Sequence, residues 1–269
     1  MKIGIGSYTY TWAIGVPGYE TENPMSAFDL MEKAVMLDAQ VVQFADNTPL
    51  HSYSDAELKK ILTFAIEKKL QIEVGTKGLF AENLERYIEI ASEMNSKILR
   101  IVIDDKEYTP SLDEIVKIIR PFISRLESSG IKLAIENHDR LKCGEFVHII
   151  RECNSPNVGI CLDTVNSLGV PEGTEQVLNE LLPYTVNLHI KDFQIQRLDH
   201  KMGFKVEGTP AGRGKLGIPF ILKRIKELQK CESAILELWT PFSSNLEDTI
   251  ATEESWAIES MNYLNQLSH

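Results

Sequence analysis

The sequence predicts an α/β fold of the (β/α)8 TIM-barrel type, a single domain over residues 1–269. Three observations carry this. Eight short β-type runs alternate with helix-like stretches; the length suits the about 250 residues that eight βα units need; and no glycine-rich phosphate turn or linker-like break in composition points to an open doubly wound sheet or to two domains.

The strands are expected in order at "KIGIGSY" from Lys2, "QVVQFAD" from Gln40, "LQIEVGT" from Leu70, "KILRIVID" from Lys97, "IKLAIEN" from Ile131, "NVGICLD" from Asn157, "TVNLHIKD" from Thr185 and "SAILELW" from Ser233. Each is a short apolar run of the kind buried in parallel sheets. Between them, "AELKKILTFAIEKK" and "SLDEIVKIIRPFISRLES" place apolar residues three and four apart, and "EESWAIESMNYLNQL" closes the chain as a helix. Ser54 and Ser111 stand where N-caps belong, with acidic residues in the turn that follows.

Composition narrows the function. A hydrophobic fraction of 43% supports a sizeable core, while a formal net charge of -11 disfavours phosphate backbones and anionic lipid surfaces. Cys143, Cys153, Cys161 and Cys231 form no CxxC pair and read as reduced thiols. The start "MKIGIGSYTYTW" lacks the apolar core of a secretory signal, and no run reaches the roughly 18 apolar residues of a membrane span. A cytoplasmic protein bound to neither membrane nor nucleic acid is expected.

Chemistry concentrates where the last strands end. Glu136 closes the fifth, Asp163 the sixth, and His189 and Glu237 lie near the ends of the seventh and eighth; the first two gaps, 27 and 26 residues, match one βα unit, and the third, 48 residues, holds an insertion. Parallel strands a unit apart open on one barrel face, so the four side chains can converge. Singly, a strand-end carboxylate is most often a cap and a lone histidine a satisfied core residue. Three carboxylates and an imidazole around one point instead suit a single divalent cation, Mn²⁺ foremost, with Mg²⁺, Co²⁺ or Zn²⁺ as alternatives.

The motifs "AIENH", "GICLDT", "NLHIKD" and "LELW", with "GRGKLGIP" before the last helix but one, resemble the xylose isomerase-like TIM-barrel superfamily over essentially the whole chain. The resemblance implies a metal held by Glu136, Asp163, His189 and Glu237, with Glu136 and Glu237 also as acid/base groups. It departs from the family at Asn166, where a histidine is usual, and in "VEGTPAGRG", which lacks the Asp and His pair of the nuclease members. "LDTVNSLG" and "GFKVEGTPAGRG" also look like a branch acting on oxidised sugar acids, the 3-oxo-isoapionate decarboxylase-like branch.

The expected activity is therefore a divalent-metal-dependent isomerase or epimerase acting on a small keto sugar or sugar acid through an enediolate, with a decarboxylase or dehydratase of an oxidised sugar acid as the alternative. An AP endonuclease or a non-catalytic sugar-acid binder stands behind both, and a homo-oligomer is compatible with the family. Substrate contacts are expected from His138, Asn166, Lys191, Arg213, Trp12 and Trp239. The loop from Asp192 to Pro219, with Arg197, His200, Lys201 and Lys205, is a candidate lid, and Glu73 is expected to pair with Arg100 inside the barrel.

Overall fold

In the computed structural model, which describes residues 1–138 and 140–268, the chain forms ten strands: β1 (Lys2–Gly6), β2 (Val41–Phe44), β3 (Gln71–Lys77), β4 (Ile98–Val102), β5 (Lys132–Glu136), β6 (Val158–Asp163), β7 (Thr185–Ile190), β8 (Asp192–Arg197), β9 (Phe204–Thr209) and β10 (Ser233–Leu236). Eight of them, all parallel, close a barrel in the order β1-β10-β7-β6-β5-β4-β3-β2. They are the eight runs read from the sequence. Their near-continuous apolar character follows from burial on both faces, inside the barrel and under the helices.

The remaining two strands lie in the insertion. β8 and β9 form an antiparallel hairpin, pairing Asp192 with Thr209 and Arg197 with Phe204. Its base is buried and its outer half exposed. Gly208 rests on the main chain of Trp239, where a Cβ would come within 2.2 Å of the carbonyl oxygen, so the hairpin is seated against the chain three residues past β10.

The helices obey their start signals. Ser26, Ser54 and Ser111 each receive the backbone N–H of a residue three further on, and the acidic side chains of Asp29, Glu57 and Glu114 return the bond. The stretch from Ser111 to Ser128 is interrupted at Pro121, which cannot supply an N–H to the ladder: Leu112–Ile119 and Ile123–Ser129 are joined by a single 3₁₀ turn. In the final helix, Leu246–Ser268, the stripe Thr249, Glu253, Ala257, Ser260, Met261 and Leu264 is buried at spacings of three and four. Among the described residues no helix is long and apolar enough to cross a membrane.

Candidate active site

Glu136 and Asp163 are the last residues of β5 and β6, His189 is the penultimate residue of β7, and Glu237 directly follows β10. The strand registers set Asp163 beside His189, and His189 beside Ile235, two residues before Glu237. All four side chains are buried. Asp163, His189 and Glu237 each offer an atom within 4.8 Å of the others, while Glu136 meets this set through His189, whose Nδ1 is 3.4 Å from Glu136 Oε2 and 3.2 Å from Glu237 Oε1.

The hydrogen bonds around these atoms are unequal. Glu136 is held at both oxygens: Arg100 Nε donates to Oε2, and Asn166 Nδ2 donates to Oε1 at 2.8 Å. Burial opposes its ionisation, but the Arg100 and Lys191 cations overcome that and keep its carboxyl well below the usual range. By contrast Asp163 Oδ2, His189 Nδ1 and both Glu237 carboxylate oxygens are buried without a hydrogen-bond partner. Lys191 Nζ lies 2.8 Å from Asp163 Oδ2 and from Glu237 Oε2, an ammonium shared between two carboxylates. Burial works against the lysine's charge, yet Asp163, Glu237 and Glu136 outweigh it and raise its pKa.

Beneath the site a polar network fixes the imidazole. Gln43 Nε2 donates to Glu73 Oε2 and to Asn187 Oδ1, both at 3.0 Å, which turns Gln43 Oε1 toward His189 Nε2 at 2.7 Å. Since Oε1 can only accept, His189 must donate from Nε2, and in the neutral ring Nδ1 is left as a lone pair facing carboxylates. A lone pair on His189 Nδ1 and buried carboxylate oxygens of Asp163 and Glu237 turned toward one another, met only by the Lys191 ammonium, fit a bound divalent cation. The donor set, oxygens with one imidazole, is that of a hard or borderline metal.

A cavity of about 480 Å³ opens above, lined by Trp12, Trp239, Leu238 and Tyr8 on one side and by Lys77, Arg100, His138 and Asn166 on the other, with Asp46 and Lys191 also on its wall. Trp12 is fixed by its indole N–H on the Thr240 carbonyl at 2.8 Å, and Glu253 of the last helix receives the backbone N–H groups of Trp12 and Ala13. The Lys191 ammonium sits 5.9 Å from the centre of the Trp239 ring. Of the substrate contacts read from the sequence, His138, Asn166, Lys191, Trp12 and Trp239 border this cavity.

Arg213 does not. Its guanidinium pairs with Glu259 on the outer surface of the last helix, and its side chain is 69% exposed. Two exposed cations of the insertion are likewise engaged on the hairpin: Arg197 lies over the Phe204 ring and Lys205 pairs with Glu207. The expected Glu73–Arg100 pair is also absent. Register sets Arg100 opposite Gly75, two residues above Glu73, so Arg100 reaches up to Glu136 and Asp46 while Glu73 reaches across to Gln43, Asn187 and Ser233.

Two wall residues escaped the sequence reading. Asp46 lies just past β2, accepting from Arg100 at 2.8 Å and from Tyr8 Oη at 3.0 Å, and Lys77 is the last residue of β3. The strand-end rule, applied to these two strands as to the last four, finds both. Asp192 of "HIKD" is structural: it accepts from Gly212 and Gly214 through Oδ2 and from Leu216 through Oδ1, folding "AGRGKLG" around one carboxylate. A Cβ at Gly214 would fall 2.1 Å from Asp192 Oδ1.

Fold and site together define a parallel (β/α)8 barrel whose face at the carboxyl ends of the strands carries carboxylates and an imidazole beneath a cavity sized for a small molecule. The chain belongs to the xylose isomerase-like TIM barrel family, whose model matches residues 31–267. It is 29% identical over 264 residues, 98% of this chain and 95% of the relative, to the 3-oxo-isoapionate decarboxylase of Pectobacterium atrosepticum. The fold is shared with the D-psicose 3-epimerase of Clostridium cellulolyticum H10 solved with D-tagatose (TM-score 0.74, 14% identity, 99% of each chain). It is also shared with a xylose isomerase-like TIM barrel protein of Mycobacterium smegmatis in complex with magnesium (TM-score 0.70, 15% identity, 97% of each chain).

Proposed function

We propose that this protein is a divalent-metal-dependent enzyme that forms an enediolate from a keto sugar acid by decarboxylation. The observation that carries this reading is the inequality of the two glutamates: Glu136 has both oxygens engaged by Arg100 and Asn166, whereas Glu237 meets only the Lys191 ammonium, at Oε2, and its Oε1 has no hydrogen-bond donor. Epimerisation needs a base on one face of the substrate and an acid on the other, so two carboxylates must exchange protons. Decarboxylation needs only one proton donor. The full-length similarity to a decarboxylase supports the same choice.

Asp163, His189 and Glu237, with Glu136 beside them, would hold the ion, which when bound supplies Lewis acidity to a carbonyl and its neighbouring oxygen. The chain's own groups do the rest. Trp12 and Trp239 cover the apolar side of the substrate and exclude water. Lys191 faces the oxygen on which negative charge grows as the carbon–carbon bond to CO₂ breaks. Glu237, once it has taken up a proton from solvent, then delivers that proton to the carbon that CO₂ has left and returns to its carboxylate form. Asn166, donating to Glu136, keeps that carboxylate oriented and Arg100 keeps it ionised.

Isomerisation or epimerisation of a keto sugar on the same site is the second reading, favoured by the pair of glutamates and by the fold shared with epimerases. One experiment separates them. Mn²⁺-loaded protein is incubated in D₂O with ketoses and 3-oxo sugar acids, and CO₂ release and deuterium incorporation are followed together. CO₂ release with one deuterium gained per turnover, abolished in Glu237→Gln, is the expected result. Deuterium exchange without CO₂ overturns it for the second reading.

A further inference from the structure

The cavity wall holds one fixed acceptor that the reading above does not use. Asp46 stands two residues past β2, and β2 lies four positions from β6 in the closed order of eight, so Asp46 is rooted across the mouth from Asp163. Its loop is tied down on both sides. Ser7 Oγ accepts the Ala45 N–H at 2.9 Å and donates to Asn47 Oδ1, while Asn47 Nδ2 donates to the Ser7 carbonyl at 3.2 Å. The carboxylate is held at both oxygens as well: Arg100 Nη1 donates to Oδ1 at 2.8 Å and Tyr8 Oη to Oδ2 at 3.0 Å.

These bonds decide what the group can recognise. Burial opposes the ionisation of Asp46, but Arg100 and the Tyr8 hydroxyl outweigh it and keep the carboxyl below its usual range. Burial, with Asp46 beside it, raises the Tyr8 phenol, which stays a donor. An ionised carboxylate accepts about four bonds and offers none. Side chains fill two of those places, and Asp46, 23% exposed, lines the cavity. The Arg100 guanidinium behind it already bridges Asp46 and Glu136. A ligand that meets this wall must therefore bring a donor: a hydroxyl fits, and a carboxylate or phosphate is repelled.

We propose that Asp46 determines specificity by accepting a hydroxyl at the end of the substrate remote from the metal, so that the site takes sugar acids whose far end is a free hydroxyl and rejects those with a second carboxylate or a phosphate there. The inference rests on the metal-dependent reading for which end is remote. It is compatible with decarboxylation, because the carboxylate that leaves as CO₂ lies at the other end, beside Lys191 and Glu237. Lys77, the last residue of the neighbouring β3, lines the same cavity and is where an anionic end would go instead, so the test sets the two side chains against each other.

Calorimetry on the Mn²⁺-loaded protein compares D-gluconate, 6-deoxy-D-gluconate, D-glucarate and 6-phospho-D-gluconate, which differ only at the end away from the first carboxylate. A shorter set, D-erythronate, its 4-deoxy analogue, meso-tartrate and 4-phospho-D-erythronate, repeats the comparison. In at least one set the hydroxyl compound should bind about tenfold or more tightly than its deoxy, dicarboxylate and phosphate analogues, the margin of a hydrogen bond to a charged acceptor. Asp46→Asn, which removes the charge at nearly constant shape, should cut these margins at least about fivefold. If Asp46 acted only by holding Arg100, the substitution would weaken every ligand alike and leave the ratios unmoved.

A smaller margin in both sets overturns the proposal, as do ratios unmoved by Asp46→Asn and failure of all eight acids to bind. Tighter binding of a dicarboxylate or phosphate overturns it in favour of Lys77. The readings beneath it are judged apart: decarboxylation by CO₂ release, and metal dependence by the Mn²⁺ titration. Should Mn²⁺ fail to bind, the same ratios are read on the metal-free protein.

Discussion

Replacing Gln43 by leucine tests whether the buried network sets the imidazole. The substitution deletes the acceptor of His189 Nε2–H and two donated bonds, but the former acceptors keep other partners: Glu73 retains Asn187 and Ser233, and Asn187 Oδ1 retains the Cys161 thiol. The group left orphaned is thus the His189 N–H, and a buried donor without a partner costs about 1–3 kcal/mol. Metal-free Gln43→Leu should lose that much stability in denaturant titration. With its orientation no longer imposed, the ring can turn its protonated nitrogen toward the carboxylates, and loss of such outer partners lowers metal affinity about 10–100-fold. By linkage the stabilisation at saturating Mn²⁺ falls by about 1.4–2.8 kcal/mol more. Asn187→Leu is the control, since Asn187 touches Gln43 but not His189; it should lose stability with a smaller loss of affinity. A Gln43→Leu protein that is destabilised yet binds Mn²⁺ within twofold of wild type would refute the reasoning.

Two further outcomes follow from charges already placed. Lys191 shares Asp163 Oδ2 and Glu237 Oε2 with any ion held there, so Lys191→Met should tighten Mn²⁺ binding at least about tenfold in calorimetry while abolishing turnover; weaker binding would show that the ammonium organises the carboxylates instead of competing. Glu253 is pushed by burial to about 7, against the backbone N–H groups of Trp12 and Ala13 that favour its ionised form. A carboxyl raised on folding contributes stability that is present below its unfolded value near 4.5 and lost as pH rises through about 7, roughly 3 kcal/mol over that window. Glu253→Gln should flatten the decline between pH 5 and 8 in thermal unfolding of the metal-free protein, and an unaltered slope would assign it to other groups.

The barrel was legible because strands buried on both faces are predominantly apolar, and so announce themselves where they stop on Glu136, Asp163 or Lys191. Serine followed three residues later by an acid was equally direct at Ser54 and Ser111, since both partners of the box lie in one local stretch. What the sequence hid was geometry between distant segments. Pairing Glu73 with Arg100 assumed level strands, whereas the stagger of a barrel lifts Arg100 by two residues. Arg213 looked available because its partner, Glu259, is 46 residues away on a helix. Asp46 and Lys77 were open to the strand-end reading, but their strands carry no neighbouring motif to draw attention to them.

Asp192 gathers both ends of the insertion onto one carboxylate: β8 starts there, and the returning "GRGKL" segment folds onto the same side chain. The residue before it is Lys191. Everything beyond this knot, from Gln194 out to the exposed turn around Met202, hangs from a base whose register is already settled. Length and sequence can therefore change at the tip without moving the ammonium that faces the substrate. A lineage carrying this barrel can exchange that outer hairpin as a module, altering what covers the mouth while inheriting the chemistry below it.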